Sequence, residues 1–181
     1  TFPDKTAYPV ASQNLKDFYN LVDVYLDAVF FPLLTEETFL QEGWHYELDD
    51  TDAPLVYKGV VFNEMKGVFS SPDAVMRDIA QRSLYDVTYG KSSGGDPKAI
   101  PDLTYKQFRD FHAKFYHPSN TRAFFSGDDD AGERLAILDA YFSQFERAPV
   151  DAEVQLQARF NAPRQIAATY AGPIEPGKAR H

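Results

Sequence analysis

The sequence predicts an α+β fold in which a largely antiparallel sheet is covered by helices on one face. Segments with helical periodicity separate the segments that have strand character, so the two kinds of element interleave along the chain. Some strand segments alternate apolar and polar residues, and none is the long β-branched run that is typical of a buried parallel sheet. Helices packed on one face of an antiparallel sheet then complete a common layered architecture.

Composition and charge narrow the class of protein. The 181 residues suffice for one domain with a substantial core, and 44% of them are hydrophobic. A net charge of -9 argues against nucleic acid and anionic membranes as partners, because both require a cationic surface. We attribute the acidity mainly to solubility, with a preference for basic peptides as the alternative. The lack of Cys suits a reducing compartment, and no apolar run approaches the ~18 residues of a membrane span.

The N-terminal part of the chain predicts a strand, a helix and a second strand. Pro9 marks residues 6–11 as an edge strand. Asn14 is the predicted N-cap of a helix with an apolar stripe along one side. The stripe comprises Leu15, Phe18, Tyr19, Val22, Tyr25, Leu26, Val29 and Phe30. Residues 39–48 contain a half-buried strand, with Trp44, Tyr46 and Leu48 on its apolar face and His45 and Glu47 on the other.

A helix predicted over residues 56–69 carries a carboxylate in the middle of its apolar face. At about 100° per residue, Glu64 shares this face with the apolar side chains. These are Tyr57, Val60, Val61, Met65 and Val68, whereas Lys58, Asn63 and Lys66 point elsewhere. A buried, unpaired carboxylate is costly, so a cationic partner, a metal ion or a raised pKa is needed to keep it there. From this pattern alone, an ion pair with Lys or Arg is favoured over a metal ion.

Caps and turn residues define the following elements. Ser71 and Pro72 begin a helix that bears Val75, Met76, Ile79 and Leu84. Residues 89–101 form a loop rich in Gly, Ser, Asp and Pro. A capping box with a hydrophobic staple, formed by Leu103, Thr104, Gln107 and Phe108, opens a helix that buries Phe108, Phe111 and Phe115. His117 and Pro118 end this helix.

The last third of the chain predicts three more strands and one helix. Residues 122–126 are the first of these strands. The acidic residues 128–130 supply the N-cap and first-turn charges of a helix that bears Leu135, Leu138, Phe142 and Phe145. Residues 154–160 alternate strictly, and Ile166, Ala168 and Tyr170 indicate another strand. Residues 172–181 are predicted to begin a linker.

Other polar residues are better explained by structure than by chemistry. His112 and His117 would project about 140° apart on a helix, so they cannot share a metal ion as an i, i+4 pair can. His45 and Glu47 form either a pair on the sheet surface or a contact to the edge of a substrate. The SGG of residues 93–95 lacks the Gly-Lys-Ser/Thr of a phosphate loop. Capping explains the three aspartates at 128–130, whose spacing is not that of a calcium loop.

Four sequence segments resemble those of the presequence proteases, the peptide-degrading branch of the pitrilysin/insulinase zinc metallopeptidases. These segments are LKDFYNLVDVYLDAVFFP at 15–32, QEGWHYEL at 41–48, YKGVVFNEMKG at 57–67 and SGGDPKAIP at 93–101. The resemblance runs from Phe2 to about Asp130. It implies a pitrilysin/insulinase-like metallopeptidase domain of α+β architecture, which the full-length enzymes repeat and close around a peptide.

The resemblance also implies a role for Glu64. In that family the Glu of FNEMKG is the third protein ligand of a catalytic zinc. The resemblance therefore favours a zinc ligand over an ion pair as the role of Glu64. The other two ligands and the general base belong to an HxxEH helix, a motif that this chain does not contain. No catalytic residue is therefore predicted within the chain. Asn63 beside Glu64 is a candidate to support the zinc ligands.

The predicted function is therefore part of a zinc metalloendopeptidase that degrades short, unstructured peptides. The alternative is a non-catalytic relative that keeps the fold to bind peptides or to scaffold a complex. The missing HxxEH motif and the missing initial Met lead us to expect a piece of a longer enzyme, inactive by itself. Residues 1–171 are then a partial N-terminal metallopeptidase domain whose partners are peptides and the other domains. The expected compartment is the bacterial cytoplasm, or an organellar matrix or stroma in a eukaryote.

Overall fold

A computed structural model describes residues 1–85 and 87–170, and these residues have an α+β fold, as predicted. The six α-helices in these ranges are α1 (Leu15–Phe30), α2 (Glu36–Glu42), α3 (Val60–Val68), α4 (Pro72–Leu84), α5 (Tyr105–Phe115) and α6 (Ala131–Phe142). The two strands assigned there, β1 (His45–Glu47) and β2 (Val56–Lys58), pair antiparallel. Short 3-10 helices cover Thr88–Gly90, Ile100–Asp102 and Pro118–Asn120. The predicted linker at 172–181 lies outside the described residues.

The chain divides into two compact units. The first comprises Thr1–Thr6, Glu37–Leu103 and the described residues from Val154 onward, and it contains β1, β2, α3 and α4. The second comprises Ala7–Glu36 and Thr104–Glu153, and it contains α1, α5 and α6. Across the described ranges, no helix is both long enough and apolar enough to span a bilayer.

Three helices begin at the capping residues that the sequence predicts. The Asn14 side chain accepts a hydrogen bond from the Asp17 backbone N–H at 3.1 Å and caps α1. Thr104 and Gln107 form the reciprocal capping box of α5, with distances of 2.8 and 3.2 Å. Asp130 accepts backbone hydrogen bonds in the first turn of α6. Each cap satisfies backbone donors that have no partner within their helix, so each fixes a helix start.

The second unit places α1 against α6 through aromatic side chains. Phe30, near the end of α1, is buried, and its ring lies 5.4 Å from that of Phe142 and 5.8 Å from that of Phe145. This arrangement confirms part of the predicted stripe of α1. The burial predicted for Phe108 and Phe111 on α5 is wrong, because both side chains are exposed. The helical pattern identifies an apolar face without showing what covers it.

Residues 56–69 form a strand, a turn and a short helix, so the prediction of one continuous helix is wrong. β2 pairs with β1 so that Tyr57 lies opposite Tyr46, with ring centroids 5.1 Å apart. Gly59 follows β2 with a φ of 137°, a value that favours glycine over residues with a side chain. The cross-strand pairing therefore removes the first residues of the predicted helix, and α3 begins at Val60.

The region of residues 39–48 also differs from the prediction. Helix α2 extends to Glu42, and only His45–Glu47 forms a strand. In the described residues, no strand is assigned to residues 6–11, 122–126, 154–160 or 166–170. Alternation selects side chains that suit a half-buried strand, but a strand forms only where a neighbouring strand supplies hydrogen-bond partners.

Candidate functional site

Helix α3 carries the candidate site, and its N-terminus is fixed against the start of the hairpin. The Phe62 backbone N–H donates to the Gly43 carbonyl oxygen at 3.3 Å. A Cβ atom added to Gly59 would lie only 2.7 Å from the Trp44 Cα. Only glycine therefore permits this close approach of the two backbone segments, and the approach sets where α3 begins.

The inner face of α3 is held by a buried apolar cluster. Phe62 and Met65 are 7% and 6% exposed, and they pack with Ile100, which is 5% exposed. The partly buried Trp44 packs against this cluster, and its indole N–H donates to the Leu103 carbonyl oxygen at 2.8 Å. The cluster therefore attaches α3 both to the hairpin and to the loop that precedes α5.

Glu64 lies on the outer, exposed face of the same helix. Val60, Val61 and Val68 share this face, with exposed fractions of 52%, 36% and 46%. The prediction that these valines surround Glu64 is therefore confirmed. The prediction that the face is buried is wrong, and Met65 lies on the inner face. A carboxylate in solvent has no desolvation cost, so its presence there does not require a compensating charge.

Glu64 makes no ion pair within the described part of the chain. The nearby Lys66 instead has its ammonium 6.0 Å from the centre of the Phe62 ring. Asn63 is exposed beside Glu64, and its backbone N–H donates to the Gly59 carbonyl oxygen at 3.0 Å. The ion-pair explanation of Glu64 therefore lacks a partner among these residues.

The Glu64 carboxylate can serve as one ligand of a metal ion. Carboxylate oxygen is an ordinary zinc ligand, and catalytic zinc sites use three protein ligands. Residues 1–85 and 87–170 contain no group of three or more His, Asp or Glu side chains placed to hold a metal. A complete set of three ligands that includes Glu64 would therefore need residues beyond these ranges.

A charged network covers the face of the hairpin that carries His45, Glu47 and Lys58. His45 Nε2 lies 3.3 Å from a Glu47 carboxylate oxygen, which confirms the predicted surface pair. His45 Nδ1 lies 2.7 Å from the Leu40 carbonyl oxygen. The sequence did not indicate the third member, Lys58, whose ammonium donates to Glu47 at 2.9 Å and to Asp49 at 3.1 Å. The hydrogen bond from Lys58, followed by that from His45, lowers the pKa of Glu47.

The other two histidines of the described residues, His112 and His117, have structural partners. His112 Nε2 lies 2.8 Å from the Val29 carbonyl oxygen, and the ring stacks on Tyr116. His117 Nδ1 accepts a hydrogen bond from the Ser119 backbone N–H at 3.1 Å. These contacts agree with the structural roles predicted for His112 and His117.

The acidic residues 128–130 are also explained by structure. Asp130 is the cap of α6, and Asp129 accepts a hydrogen bond from Arg134 Nε at 2.7 Å. The interaction with Arg134 lowers the pKa of Asp129. Asp129 and Asp130 thus stabilise the start of α6, as the sequence predicts.

A row of aromatic rings along the hairpin is a feature that the sequence reading missed. Trp44, Tyr46, Tyr57 and Phe62 form successive ring contacts with centroids 5.1 to 5.8 Å apart. The sequence signal for the hairpin is a pair of short strand-like segments, HYE and VYK, on either side of an Asp-rich stretch. Pairing these two segments predicts the strand that precedes Gly59.

Comparison with known proteins gives consistent matches over nearly the whole chain. The chain is 54% identical over 175 residues to Presequence protease 1, chloroplastic/mitochondrial, of Arabidopsis thaliana, a match that covers 94% of this chain and 16% of the relative. It is 49% identical over 169 residues to the mitochondrial presequence protease of Danio rerio, covering 91% of this chain and 16% of the relative. Protein HypA of Clostridium perfringens (strain 13 / Type A) is 48% identical over 174 residues, covering 94% of this chain and 18% of the relative.

Residues 102–176 match a family model described as the peptidase M16 inactive domain. The chain spans between 16% and 18% of the length of these three relatives. The presequence protease relatives agree with the resemblance found in the sequence around Glu64, whereas the family model covers only a later part of the chain. The chain is thus similar to the M16 peptidases, and it is presequence protease-like over nearly its whole length.

Proposed function

We propose that this chain supplies the glutamate ligand of the catalytic zinc in a metalloendopeptidase that degrades short, unstructured peptides. Glu64 is the ligand, and residues 1–171 form part of the N-terminal metallopeptidase domain of a longer protein. The remaining zinc ligands and the general base come from that longer protein. Peptides and its other domains are the partners.

The exposed position of Glu64 is the observation that carries this proposal. A metal ligand must be reachable, and Glu64 lies on the outer face of α3 with no ion-pair partner in the described residues. The apolar side chains of Val60, Val61 and Val68 surround it. They offer a surface on which a second helix could pack and bring further ligands to the carboxylate.

The chemistry of this residue follows from its type. The ionised carboxylate of Glu64 is an anionic oxygen donor, and it would bind zinc together with two imidazoles. Bound there, zinc would supply Lewis-acid chemistry, which would make a water molecule acidic enough to be activated for attack on a peptide carbonyl. Glu64 transfers no proton and forms no covalent bond in this scheme. Asn63, next to it in the sequence, supports the ligands from outside.

The proposal extends to architecture and compartment. The extended segments of the chain join a largely antiparallel sheet, covered by helices on one face, once their neighbours in the longer protein are present.

The Arabidopsis and Danio relatives are named chloroplastic/mitochondrial and mitochondrial. The bacterial cytoplasm, or an organellar matrix or stroma in a eukaryote, is accordingly the proposed location. The net charge of -9 argues against partners that are anionic.

A second candidate function is a non-catalytic relative that binds peptides or scaffolds a complex. The observation that favours it is the match of residues 102–176 to a domain described as inactive. That match does not include Glu64. The two functions differ in one respect, namely whether the protein around this chain hydrolyses peptides with the help of Glu64.

A peptidase assay on the full-length protein tests the proposal. The wild type, Glu64→Gln and Glu153→Gln are each given an unstructured peptide of about 20 residues, with and without a zinc chelator. Glu153 is another exposed glutamate, so its substitution controls for the loss of one charge. We expect chelator-sensitive hydrolysis by the wild type and by Glu153→Gln, and a loss of at least ~100-fold in kcat for Glu64→Gln. A wild-type protein that binds the peptide without cleaving it would favour the non-catalytic function.

A further inference from the structure

The loop at residues 93–97 lies against the buried face of α3, whereas Glu64 lies on the exposed face of that helix. A Cβ atom added to Gly94 would overlap the Met65 sulfur and lie 3.0 Å from the Met65 methyl carbon. A thioether is flexible, but Met65 is only 6% exposed and packs with Phe62 and Ile100. Met65 can therefore move aside only if the cluster around it also moves.

The loop is itself held in place on both sides of this contact. Gly95 has a φ of 93°, where residues with a side chain are strained, and its added Cβ would lie 3.3 Å from Ile100 Cγ1. One Asp96 carboxylate oxygen accepts from the Lys98 backbone N–H at 2.9 Å, and the other accepts from Arg82 Nη2 at 3.1 Å. The loop is thus fixed to α4 through Arg82 and cannot retreat freely from α3.

These contacts determine the rotation of α3 about its own axis. Glu64 and Met65 are consecutive, so their side chains project about 100° apart from one rigid backbone. A displacement of Met65 that rolls the helix outward moves the Glu64 carboxylate with it. The N-terminus of α3 is already fixed by the hydrogen bond from Phe62 to Gly43. The contact between Gly94 and Met65 is a second fixed point on the helix. Together the two fixed points define the rotation of α3 about its axis.

We propose that Gly94 is a positioning residue for Glu64, because the absence of a side chain at residue 94 sets the rotation of α3 and hence the direction of the carboxylate. This inference rests on the proposed role of Glu64 as a zinc ligand. Metal–ligand distances are maintained to within about 0.2 Å. A Cβ atom at Gly94 requires a larger adjustment than that, since contacting carbon atoms normally lie about 3.5 to 4.0 Å apart.

The experiment compares Gly94→Ala with Gly67→Ala in the full-length protein. Gly67 lies on α3 itself, and a Cβ added there would meet no atom within 4 Å, so it is a matched control. Zinc affinity is measured by competition with a chelator, and peptide hydrolysis is measured as kcat and KM. We expect Gly94→Ala to lose about 10- to 100-fold in zinc affinity and to lower kcat with little change in KM. Gly67→Ala should behave as the wild type.

A rescue variant separates positioning from simple destabilisation. Met65→Ala removes the atoms that the new Cβ would meet, so Gly94→Ala should cost less zinc affinity in the Met65→Ala background than in the wild type. Trp44 is the only tryptophan among the 181 residues and packs against the same cluster, so its fluorescence, recorded on the 181-residue chain, reports the rearrangement without any metal. We expect Gly94→Ala to shift the Trp44 emission and Gly67→Ala to leave it unchanged. If Gly94→Ala alone does not fold, the double variant is compared with Met65→Ala, and equal zinc affinity of these two supports the proposal.

The outcomes that would overturn the inference differ from those that would overturn the proposed function. Zinc affinity equal in Gly94→Ala and Gly67→Ala, with zinc lost in Glu64→Gln, overturns the positioning role alone. The same conclusion follows if Gly94→Ala lowers the melting temperature but leaves zinc affinity intact. A Glu64→Gln protein with normal zinc content overturns both proposals, because Glu64 would then have no ligand role to support.

Discussion

Glu64 has little influence on the stability of the chain by itself. Its carboxylate is exposed and has no ion-pair partner in the described residues, so replacement by an isosteric amide removes neither a packing contact nor a salt bridge. For Glu64→Gln in this 181-residue chain, we expect the free energy of unfolding to change by no more than ~0.5 kcal/mol. Thermal melts of both proteins in the absence of metal measure this. A loss of several degrees in Tm would indicate a structural role that the geometry does not include.

The sequence predicted the valines that surround Glu64 but not the exposure of the face that they share. Helical periodicity placed Val60, Val61 and Val68 around it, because side-chain spacing on a helix is a local property. Burial is not local, since an apolar face awaiting a partner has the same pattern as a face already packed. The role as a zinc ligand was predicted from the resemblance of FNEMKG to a family, and periodicity alone favoured an ion pair. The contact of Gly94 with Met65 joins residues about 30 positions apart, and no local pattern reveals it.

The hairpin of β1 and β2 contains a pH-dependent interaction. Lys58 and His45 lower the pKa of Glu47 in the folded chain, with the larger contribution from the Lys58 hydrogen bond. A lowered pKa stabilises the fold fully above the unfolded value of about 4.3. This stabilisation is lost as the pH falls through the folded pKa, because the carboxyl then binds a proton. Since the group is exposed, the effect is small.

Melting temperatures measured between pH 7 and pH 3 test this interaction. The wild type should lose more stability over this range than Glu47→Gln, which cannot bind the proton. Asp49→Asn is a useful control, because Asp49 is the second and more exposed partner of Lys58. Parallel pH profiles of the wild type and Glu47→Gln would show that the Glu47 contacts do not stabilise the hairpin.

Individual elements were predictable to the extent that their signals are local. Asn14, Thr104 and Asp130 cap their own helices, so the starts of α1, α5 and α6 follow from a few neighbouring residues. Strands depend on distant partners, and the described residues pair only β1 with β2. Gly59 separates β2 from α3 through its positive φ, and its effect was concealed by the continuous apolar pattern on either side.

The chain as a whole exposes an apolar face that should promote self-association. Val60, Val61 and Val68 are each at least one-third exposed on α3, and contiguous exposed apolar surface is typical of interaction sites. We expect the apparent mass from light scattering to rise with concentration. Replacement of Val60 and Val61 by Ser should reduce this rise, whereas Leu135→Ser on the exposed surface of α6 should not. A mass that stays monomeric at all concentrations would contradict the expectation.

The zinc content of the full-length protein tests the role of Glu64 most directly. Wild type, Glu64→Gln and Glu153→Gln are dialysed against a mild chelator, and bound zinc is measured by atomic absorption, with thermal melts to confirm that each protein is folded. The proposed ligand role predicts one zinc per wild-type or Glu153→Gln molecule and a loss of at least ~10-fold in zinc affinity for a folded Glu64→Gln protein. Full zinc occupancy in the Glu64→Gln protein would contradict the assignment of Glu64 as a ligand.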